Sequence, residues 1–314
     1  MTGSAEGRVA GIVGLAYADL PAPLVAELRD AGLDAAAVHA AVAAAVAEDL
    51  PGPDVTSWAT IPPTQVEVAD FVARADGVVA GLGVAELVFR HVLGDDVVVE
   101  RPVPDGAAVR RGDVLLTATG ATALLLTAER TALNFACHLS GVATATAAWA
   151  RALAGTGARV RDTRKTVPGF RALDKYAVRC GGGVNHRATL SDQALVKDNH
   201  VLAAGGVVAA YRLVRETFPD VPVQVEVTTL AQLEELLAVG APDVLLDNMS
   251  PADMREAVRI AAGRARLEAS GGLTLDRARA VGETGVDFVA VGALTHSAAV
   301  LDIAMDLRSR PGAA

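Results

Sequence analysis

The spacing of apolar and polar residues changes along the chain, and the first part predicts helices followed by a small sheet. The Ala- and Val-rich stretch from Leu20 to Glu48 predicts one long helix that breaks at Pro51-Gly52-Pro53. Short apolar segments bounded by glycine and turn residues follow it, which is typical of an antiparallel sheet with flanking helices. The predicted strand segments are 64–68, 77–81, 97–100 and 114–116.

From residue 127 onward the pattern is different. Residues 127–154 predict one long helix, and strand-like and helix-like segments then alternate. Repeated strand-helix units of this length indicate a parallel sheet, closed or nearly closed into a barrel. The predicted strands are 159–161, 194–196, 223–227, 244–246, 265–269 and 286–291, and the predicted helices are 201–216, 229–239, 251–262 and 274–283.

These patterns predict an α/β fold: an N-terminal α/β sandwich-like domain followed by a C-terminal open or incomplete α/β barrel. We expect a weakly ordered N-terminal leader at 1–24, an α+β domain at 25–135 and a barrel domain at 136–296. A C-terminal helix and tail at 297–314 is expected to pack on the N-terminal domain. With 52% apolar residues in 314, the chain has ample material for these cores.

Composition excludes several classes of protein. A net charge of -9 and a pI near 5.2 argue against a nucleic-acid partner, since phosphate binding needs a basic face. No apolar run reaches the roughly 18 residues of a spanning helix, so we expect no membrane partner. Residues 9–18 imitate an export signal, but Glu6 cancels Arg8, which favours a leader segment. Cys137 and Cys180 lack ligand-like spacing and indicate reduced packing residues in a cytoplasmic protein.

Positive charge is concentrated between Arg161 and His200. This segment holds eight Lys or Arg and four Asp, a local excess of +4, so the remainder of the chain carries -13. The only lysines of the chain, Lys165, Lys175 and Lys197, all fall within it, either by coincidence or because a compact ammonium group is required. The segment therefore predicts a local anion site for a ligand with more than one negative group.

Unusual polar residues follow the predicted parallel strands at their carboxyl ends, where barrel enzymes assemble their active sites. Two glycine-rich strand ends, at 270–272 and 291–293, each precede a helix and expose backbone N–H groups suited to phosphate. Taken alone, a glycine that ends a strand is more often just a turn, but two such turns on consecutive strands favour a phosphate site. Glu226 and Asp247 either pair with neighbouring cations or bind ribose hydroxyls and Mg²⁺.

The long central motif RDTRKTVPGFRALDKYAVRCGGGVNHR, at 161–187, resembles the quinolinate phosphoribosyltransferase family. The same family pattern is matched by LVKDNH, VEV, LLDN, EASGG and VGALTHS downstream and by EDLPGPDVT, GVVAGL and AERTALNF upstream. The resemblance runs from about residue 25 to 309. It implies transfer of a phosphoribosyl group from phosphoribosyl pyrophosphate to quinolinate, with release of pyrophosphate and CO₂, in NAD biosynthesis.

The resemblance also implies roles for individual residues. Quinolinate would be bound by Arg164, His186, Arg187 and Lys197, joined by Arg130 from the second subunit of a homodimer. Phosphoribosyl pyrophosphate would be bound by Lys165, Glu226, Asp247, Ser270, Gly271 and Gly292, of which Lys165, Glu226 and Asp247 would be catalytic. The implied cofactor is Mg²⁺, held by the pyrophosphate and by Glu226 and Asp247.

Some alternatives stay open at this stage. Gln224 and Thr228 stand where the family often has further acids, which affects the expected metal environment, and Pro53 interrupts a stretch usually read as glycine-aspartate.

A related branch of molybdenum-transport-associated proteins would keep the phosphoribosyl site with another acceptor. A protein of a different class, a sensor of phosphorylated ligands, would use the cationic rim for binding alone. The glycines of GGGVNHR would let the backbone turn tightly before His186 and Arg187, or would form a purely structural turn.

Overall fold

The structure, a computed structural model, describes residues 11–308. The chain divides into two compact units, the first formed by the residues up to Thr144 with those from Ala299 onward, and the second by Ala145–Ala298. Residues 1–10 of the predicted leader lie outside the described residues. The described part of the predicted leader contains a 3₁₀ turn at Tyr17–Asp19 and the start of the first helix at Ala22.

The first unit contains helices around an antiparallel sheet. Its helices are α1 (Ala22–Asp30), α2 (Ala35–Asp49), α3 (Val55–Thr60) and α4 (Leu82–Leu93), and α5 (Thr122–Leu153) begins in it and continues into residues of the second unit. Its strands up to α5 are β1 (Val66–Ala73), β2 (Gly77–Val78), β3 (Val98–Glu100), β4 (Ala108–Val109) and β5 (Val114–Ala121).

The single helix predicted from Leu20 to Glu48 is wrong, because the segment forms two helices. Gly32 adopts a φ of 73°, a left-handed conformation that ends α1. Asp34 then caps α2 by accepting N–H groups of Ala36 and Ala37. Helix α2 buries Val38, Val42 and Val46, which recur every fourth residue and therefore share one face.

The second unit is a parallel sheet with intervening helices. Its elements are β6 (Arg159–Arg161), α6 (Arg171–Cys180), β7 (Ala194–Val196), α7 (Asp198–Ala204), α8 (Val207–Thr217), β8 (Val223–Val227), α9 (Leu230–Ala238), β9 (Asp243–Asp247), α10 (Pro251–Ala261), β10 (Arg266–Ser270), α11 (Ala278–Gly282), β11 (Phe288–Ala290) and α12 (Ala293–His296). The strand order is β6-β11-β10-β9-β8-β7, and every pairing is parallel. Since β6 and β7 end the order without pairing to each other, the barrel is open, and the predicted fold class is confirmed.

The predicted C-terminal helix over 297–314 is also wrong for the residues described. Residues Ile303–Arg308 form a strand, β12, which pairs antiparallel with β1 and gives the first unit's sheet the order β12-β1-β5-β3. Pairing with β12 satisfies the backbone groups of β1, and Arg308 Nε donates to Asp70 Oδ2 at 2.5 Å. Residues 309–314 lie outside the described residues.

Within residues 11–308, none of the helices taken singly has both the length and the apolar character needed to cross a bilayer. Helices α1 and α2 would meet the criterion only as a pair, and their axes bend by 109° at the break between them.

Candidate functional site

A cavity of about 320 Å³ opens at the carboxyl ends of the parallel strands in the second unit. Four cationic side chains surround it, its walls include aliphatic residues, and two of its polar residues are buried: His186 is 7% and Glu268 1% exposed. The cations are Arg164, Lys165, Arg187 and Lys197, and the aliphatic residues are Leu195, Leu245 and Ala290. The size and the positive charge of the lining suit a small anion.

The two guanidinium groups of the cavity lie near each other, and one of them is held by a surrounding loop. Arg187 donates from Nη1 to the Gln193 carbonyl at 2.9 Å. Burial, and then the neighbouring charge of Arg164, lower the pKa of Arg187. Arg164 Nε is buried and has no hydrogen-bond partner among the described residues. Two like charges held together in this way favour the arrival of an anion.

The backbone of Lys165 is fixed by two threonines on different elements. Its N–H donates to Thr163 Oγ1 at 3.0 Å, and its carbonyl accepts from Thr295 Oγ1 at 2.8 Å. The side chain itself is exposed in the cavity mouth. A β-carbon placed on Gly292 would lie 2.9 Å from Lys165 Cδ and 3.3 Å from His296 Nε2. Lys165 therefore reaches across the turn that follows β11.

Beneath the cavity lies a buried polar network centred on Asp162, which is 0% exposed. Lys175 Nζ donates to Asp162 Oδ1 and, at 2.9 Å, to the His186 carbonyl. Asp162 also accepts from the backbone N–H of His186 at 2.8 Å and from Asn185 Nδ2 at 2.5 Å. Burial raises the pKa of Asp162 and lowers that of Lys175, and their ion pair offsets part of both shifts. This network fixes the backbone that carries His186 and Arg187.

The glycine triplet before that backbone forms the end of α6. Gly182 has a φ of 83°, its N–H donates to the Arg179 carbonyl, and the N–H of Gly183 donates to the Val178 carbonyl, which is the Schellman pattern. A β-carbon on Gly183 would lie 2.7 Å from Thr146 Cγ2 and 2.8 Å from Val178 Cγ1. The bare backbone thus permits a sharp turn against α5, after which Val184 pairs with β6 through Val160.

The ring of His186 has both nitrogens committed to protein groups. Its Nδ1 accepts the backbone N–H of Arg187 at 2.7 Å, so the proton of the neutral ring must sit on Nε2. Nε2 then donates to Gln224 Oε1 at 2.8 Å. Burial lowers the pKa of His186, an effect opposed by Glu268 and Gln224 and reinforced by Arg161 and Lys175. Burial and the hydrogen bond accepted by Nδ1 both favour the neutral ring.

Glu268 carries the negative charge of the cavity floor. Its Oε2 accepts from Arg161 Nη1 at 2.7 Å and from Gln224 Nε2 at 3.2 Å. Its Oε1 is buried without a hydrogen-bond partner among the described residues and lies 3.6 Å from His186 Nε2. Arg161, Glu268, Gln224 and His186 therefore form one chain of polar contacts across three strands and the loop after α6.

Two carboxylates stand at the ends of neighbouring strands. Glu226 Oε2 accepts from Lys197 Nζ at 2.9 Å, which supports the reading of Glu226 as a partner of a nearby cation. Asp247 Oδ2 accepts from Asn248 Nδ2 at 2.8 Å, and Asp247 lies opposite Ser270 in the β9–β10 register. The carboxylates are thus close to the cations and to the first glycine-rich turn.

Comparison with known proteins identifies the family. The model of the C-terminal domain of quinolinate phosphoribosyl transferase matches residues 142–306, and the model of its N-terminal domain matches residues 54–140. The chain belongs to the quinolinate phosphoribosyltransferase family. The predicted resemblance is therefore confirmed over most of the chain.

Individual family members agree over nearly the whole length. The nicotinate-nucleotide pyrophosphorylase (carboxylating) of Mycobacterium leprae is 50% identical over 285 residues, which are 89% of this chain and 100% of the relative. A probable enzyme of the same name from Bacillus subtilis is 38% identical over 83% of this chain and 90% of its own. The crystal structure of NadC from Streptococcus pyogenes superposes with a TM-score of 0.84 at 38% identity, covering 93% of this chain and 99% of that structure.

The structure of this family member brings most of the predicted site residues to one rim. Six of them line the same cavity: Arg164, Lys165, His186, Arg187, Lys197 and Ser270. Glu226 contacts the rim through its ion pair with Lys197. Asp247 and Gly271 lie at the ends of neighbouring strands, and Gly292 lies next to Lys165. Arg130 lies exposed on α5 in the first unit, and its contribution from a second subunit stays a prediction.

Sequence reasoning assigned no role in the site to five residues that shape it. Asp162 and Lys175 form the buried ion pair, Glu268 lies in the floor, and Asn248 holds Asp247. His296 adjoins Gly292 and shares a hydrogen bond of 2.6 Å between its Nδ1 and Ser297 Oγ. Asp162, Glu268 and Asn248 lie within three residues of a strand's carboxyl end, whereas Lys175 and His296 lie on helices α6 and α12. Asn248 directly follows Asp247, which was assigned a role, so its position was a signal that could have been used.

A bound magnesium ion would need oxygen ligands beyond those the rim provides. No group of three or more His, Cys, Asp or Glu side chains able to hold a metal occurs within residues 11–308. Glu226 and Asp247 do supply hard carboxylate oxygens, the ligands that Mg²⁺ prefers, from adjacent strands. The residues present therefore fit a metal that arrives with a diphosphate and completes its coordination there.

Proposed function

We propose that this chain is a quinolinate phosphoribosyltransferase, which converts quinolinate and phosphoribosyl pyrophosphate to nicotinate mononucleotide, pyrophosphate and CO₂ in de novo NAD biosynthesis. The observation that carries the proposal is the gathering of four cationic side chains around one cavity in a chain of net charge -9. The family membership supports the same reaction, and relatives bear its name.

Quinolinate, a planar ring with two adjacent carboxylates, is proposed to occupy the cavity. Arg164 and Arg187 offer planar groups suited to paired carboxylate contacts, and Lys197 adds a mobile point charge. To reach the substrate, the Lys197 ammonium must loosen its contact with Glu226. His186 would contribute by holding the Arg187 backbone and by closing the floor, since both of its ring nitrogens are engaged.

Phosphoribosyl pyrophosphate is proposed to bind along the adjoining strand ends. Ser270 and Gly271 follow β10, and Gly292 follows β11, where turns present backbone N–H groups to the 5′-phosphate. Glu226 and Asp247 would accept hydrogen bonds from ribose hydroxyls. Lys165, which reaches the Gly292 turn from the cavity mouth, would lie between the two substrates and offset their mutual repulsion.

The chemistry requires orientation and charge stabilisation more than covalent participation by the protein. The lone pair of the pyridine nitrogen forms a bond to ribose C1 as the bond from C1 to the pyrophosphate oxygen breaks. The nitrogen becomes cationic, so the bond to the C2 carboxylate can break with loss of CO₂, and the electron pair left on C2 takes up a proton. The cations around the cavity hold the ring and stabilise the charge that develops on the leaving pyrophosphate.

Magnesium is part of the proposal. When bound to the diphosphate, Mg²⁺ would neutralise charge on the leaving group. Glu226 and Asp247 are the residues that would orient it.

The proposed active form is a homodimer in which Arg130 completes the partner's quinolinate site. A complementation experiment tests this arrangement: Arg130→Ala and Lys197→Ala proteins, each inactive alone, are mixed after reversible dissociation. One intact site per mixed dimer should restore a fraction of the activity, and no recovery would contradict the shared site. We also propose a cytoplasmic location, supported by cysteine spacing that gives no disulfide framework.

The substrate is tested directly by an assay of purified protein with phosphoribosyl pyrophosphate, Mg²⁺ and either quinolinate or nicotinate. We expect ¹⁴CO₂ release from carboxyl-labelled quinolinate in step with nicotinate mononucleotide. Turnover of nicotinate but not quinolinate would overturn the assignment. Binding of both substrates without turnover would instead favour a sensor.

A further inference from the structure

Asn248 adopts an unusual backbone conformation at the edge of the proposed site. Its φ is 54°, and Ala262, with a φ of 46°, is the other non-glycine residue with positive φ among residues 11–308. Asparagine tolerates this left-handed conformation better than most residues because its short amide interacts with nearby polar groups. The conformation places the residue directly between the end of β9 and the turn after β10.

Three contacts tie Asn248 to both strand ends. Its side-chain Nδ2 donates to Asp247 Oδ2 at 2.8 Å, and its backbone N–H donates to the Ser270 carbonyl at 3.0 Å. Its Oδ1 lies so close to Gly271 that a β-carbon there would be 2.2 Å away. The amide therefore fills the space that a side chain at Gly271 would need, while its donor end holds the carboxylate.

The two groups that Asn248 connects serve different parts of one ligand in the proposed function. Asp247 is proposed to face the ribose hydroxyls and the metal-bearing diphosphate, and the Ser270-Gly271 turn is proposed to bind the 5′-phosphate. An unrestrained Asp247 carboxylate could rotate about its side-chain bonds, so the distance between the two contacts would vary. With Nδ2 bonded to one oxygen, the other oxygen of Asp247 keeps a fixed direction.

We infer that Asn248 is a positioning residue that sets the spacing between the ribose contact and the 5′-phosphate turn, and so determines affinity for phosphoribosyl pyrophosphate. The inference rests on the proposed function and adds to it a residue with no assigned role. Its main effect is on one substrate, because Asn248 contacts Asp247 and the Ser270-Gly271 turn, all assigned to phosphoribosyl pyrophosphate, and is connected to the lining of the quinolinate cavity only through the backbone carbonyl of Ser270.

Two variants and a matched control test the inference. Asn248→Gly keeps the left-handed backbone accessible and removes the amide, and Asn248→Asp keeps the size and the backbone preference but replaces the donor by a second carboxylate next to Asp247. Ala262→Gly changes the other positive-φ residue, which ends α10. Steady-state kinetics give kcat/KM for phosphoribosyl pyrophosphate. Calorimetry gives the Kd of quinolinate in the absence of phosphoribosyl pyrophosphate.

We expect kcat/KM for phosphoribosyl pyrophosphate to fall about tenfold in Asn248→Gly, the loss typical of one hydrogen bond to a charged group, and further in Asn248→Asp. The Kd of quinolinate should stay within about twofold, and Ala262→Gly should match wild type in both measurements. Either variant with wild-type kinetics would overturn the inference, as would equal losses for both substrates. An inactive wild-type protein would instead refute the proposed function.

Discussion

The floor and the mouth of the cavity use the same residue types in opposite ways. In the buried network beneath the floor, Lys175 and Asp162 are almost completely buried. They bind to each other and to neighbouring backbone and amide groups. In the mouth, Lys165 and Lys197 are exposed, and Lys197 has one carboxylate partner. A buried charge must be fully partnered to be tolerated, whereas a charge that is to bind a ligand has to remain accessible. Burial therefore distinguishes a structural lysine from a ligand-binding one.

The largest effect should come from breaking the buried pair. Lys175→Met leaves Asp162 without its counter-charge, and we expect a loss of about 3–5 kcal/mol in the free energy of unfolding. Urea denaturation followed by circular dichroism measures it.

Lys165→Met is the matched control in the mouth. It should change the free energy of unfolding by less than about 0.5 kcal/mol while abolishing turnover. If the two methionine variants lost stability equally, the distinction between floor and mouth would be refuted.

A smaller effect, limited to binding, is expected at Arg187. Arg187→Ala removes a guanidinium from the cavity, and quinolinate should bind roughly ten- to a hundredfold more weakly, the equivalent of a charged hydrogen bond. Calorimetry measures the Kd, and unfolding measurements should show a stable protein. Arg259→Ala, an exposed arginine of α10 paired with Glu256, is the control and should bind quinolinate normally. Unchanged affinity in Arg187→Ala would contradict its proposed role.

The smallest effect concerns the protonation of His186. Its pKa in the folded protein is lowered from 6.5, so the unfolded chain takes up the proton more readily and stability should fall as the pH drops below about 6.5. Gln224→Glu places a second carboxylate beside Nε2, and we expect it to raise the pKa of His186 and to lessen that pH-dependent loss.

NMR titration of the His186 ring protons measures this change. If the midpoint of the His186 titration were the same in wild type and in Gln224→Glu, the predicted electrostatic effect of residue 224 on His186 would be refuted.

The alternation of strands and helices was a strong signal in the sequence, and the parallel sheet could be predicted from it. Runs such as residues 223–227 are short, apolar and bounded by turns, so local pattern and tertiary environment agree there. The rim could be predicted for the same reason, since parallel strands bring their carboxyl ends together whatever the intervening loops do.

Other features depended on contacts that local pattern does not contain. The partner of residues 303–308, the edge of β1, is distant in sequence, so their alternation of apolar and polar residues did not show which strand they would join. The break between α1 and α2 follows from a single glycine and a capping aspartate inside an otherwise helical composition. The role of Lys175 could not be separated from those of the other lysines, because the burial of Asp162 is set by residues distant in sequence.

The antiparallel sheet of the first unit takes β12 from the far end of the chain, and this bears on the order of events during translation. A ribosome releases β1, β3 and β5 long before Ile303–Arg308, so one side of β1 has no neighbour while the whole second unit is being made. Through that interval the nascent chain exposes an open strand edge, a surface prone to pairing with other polypeptides. The sheet of the first unit can therefore be completed only after the second unit has been synthesised.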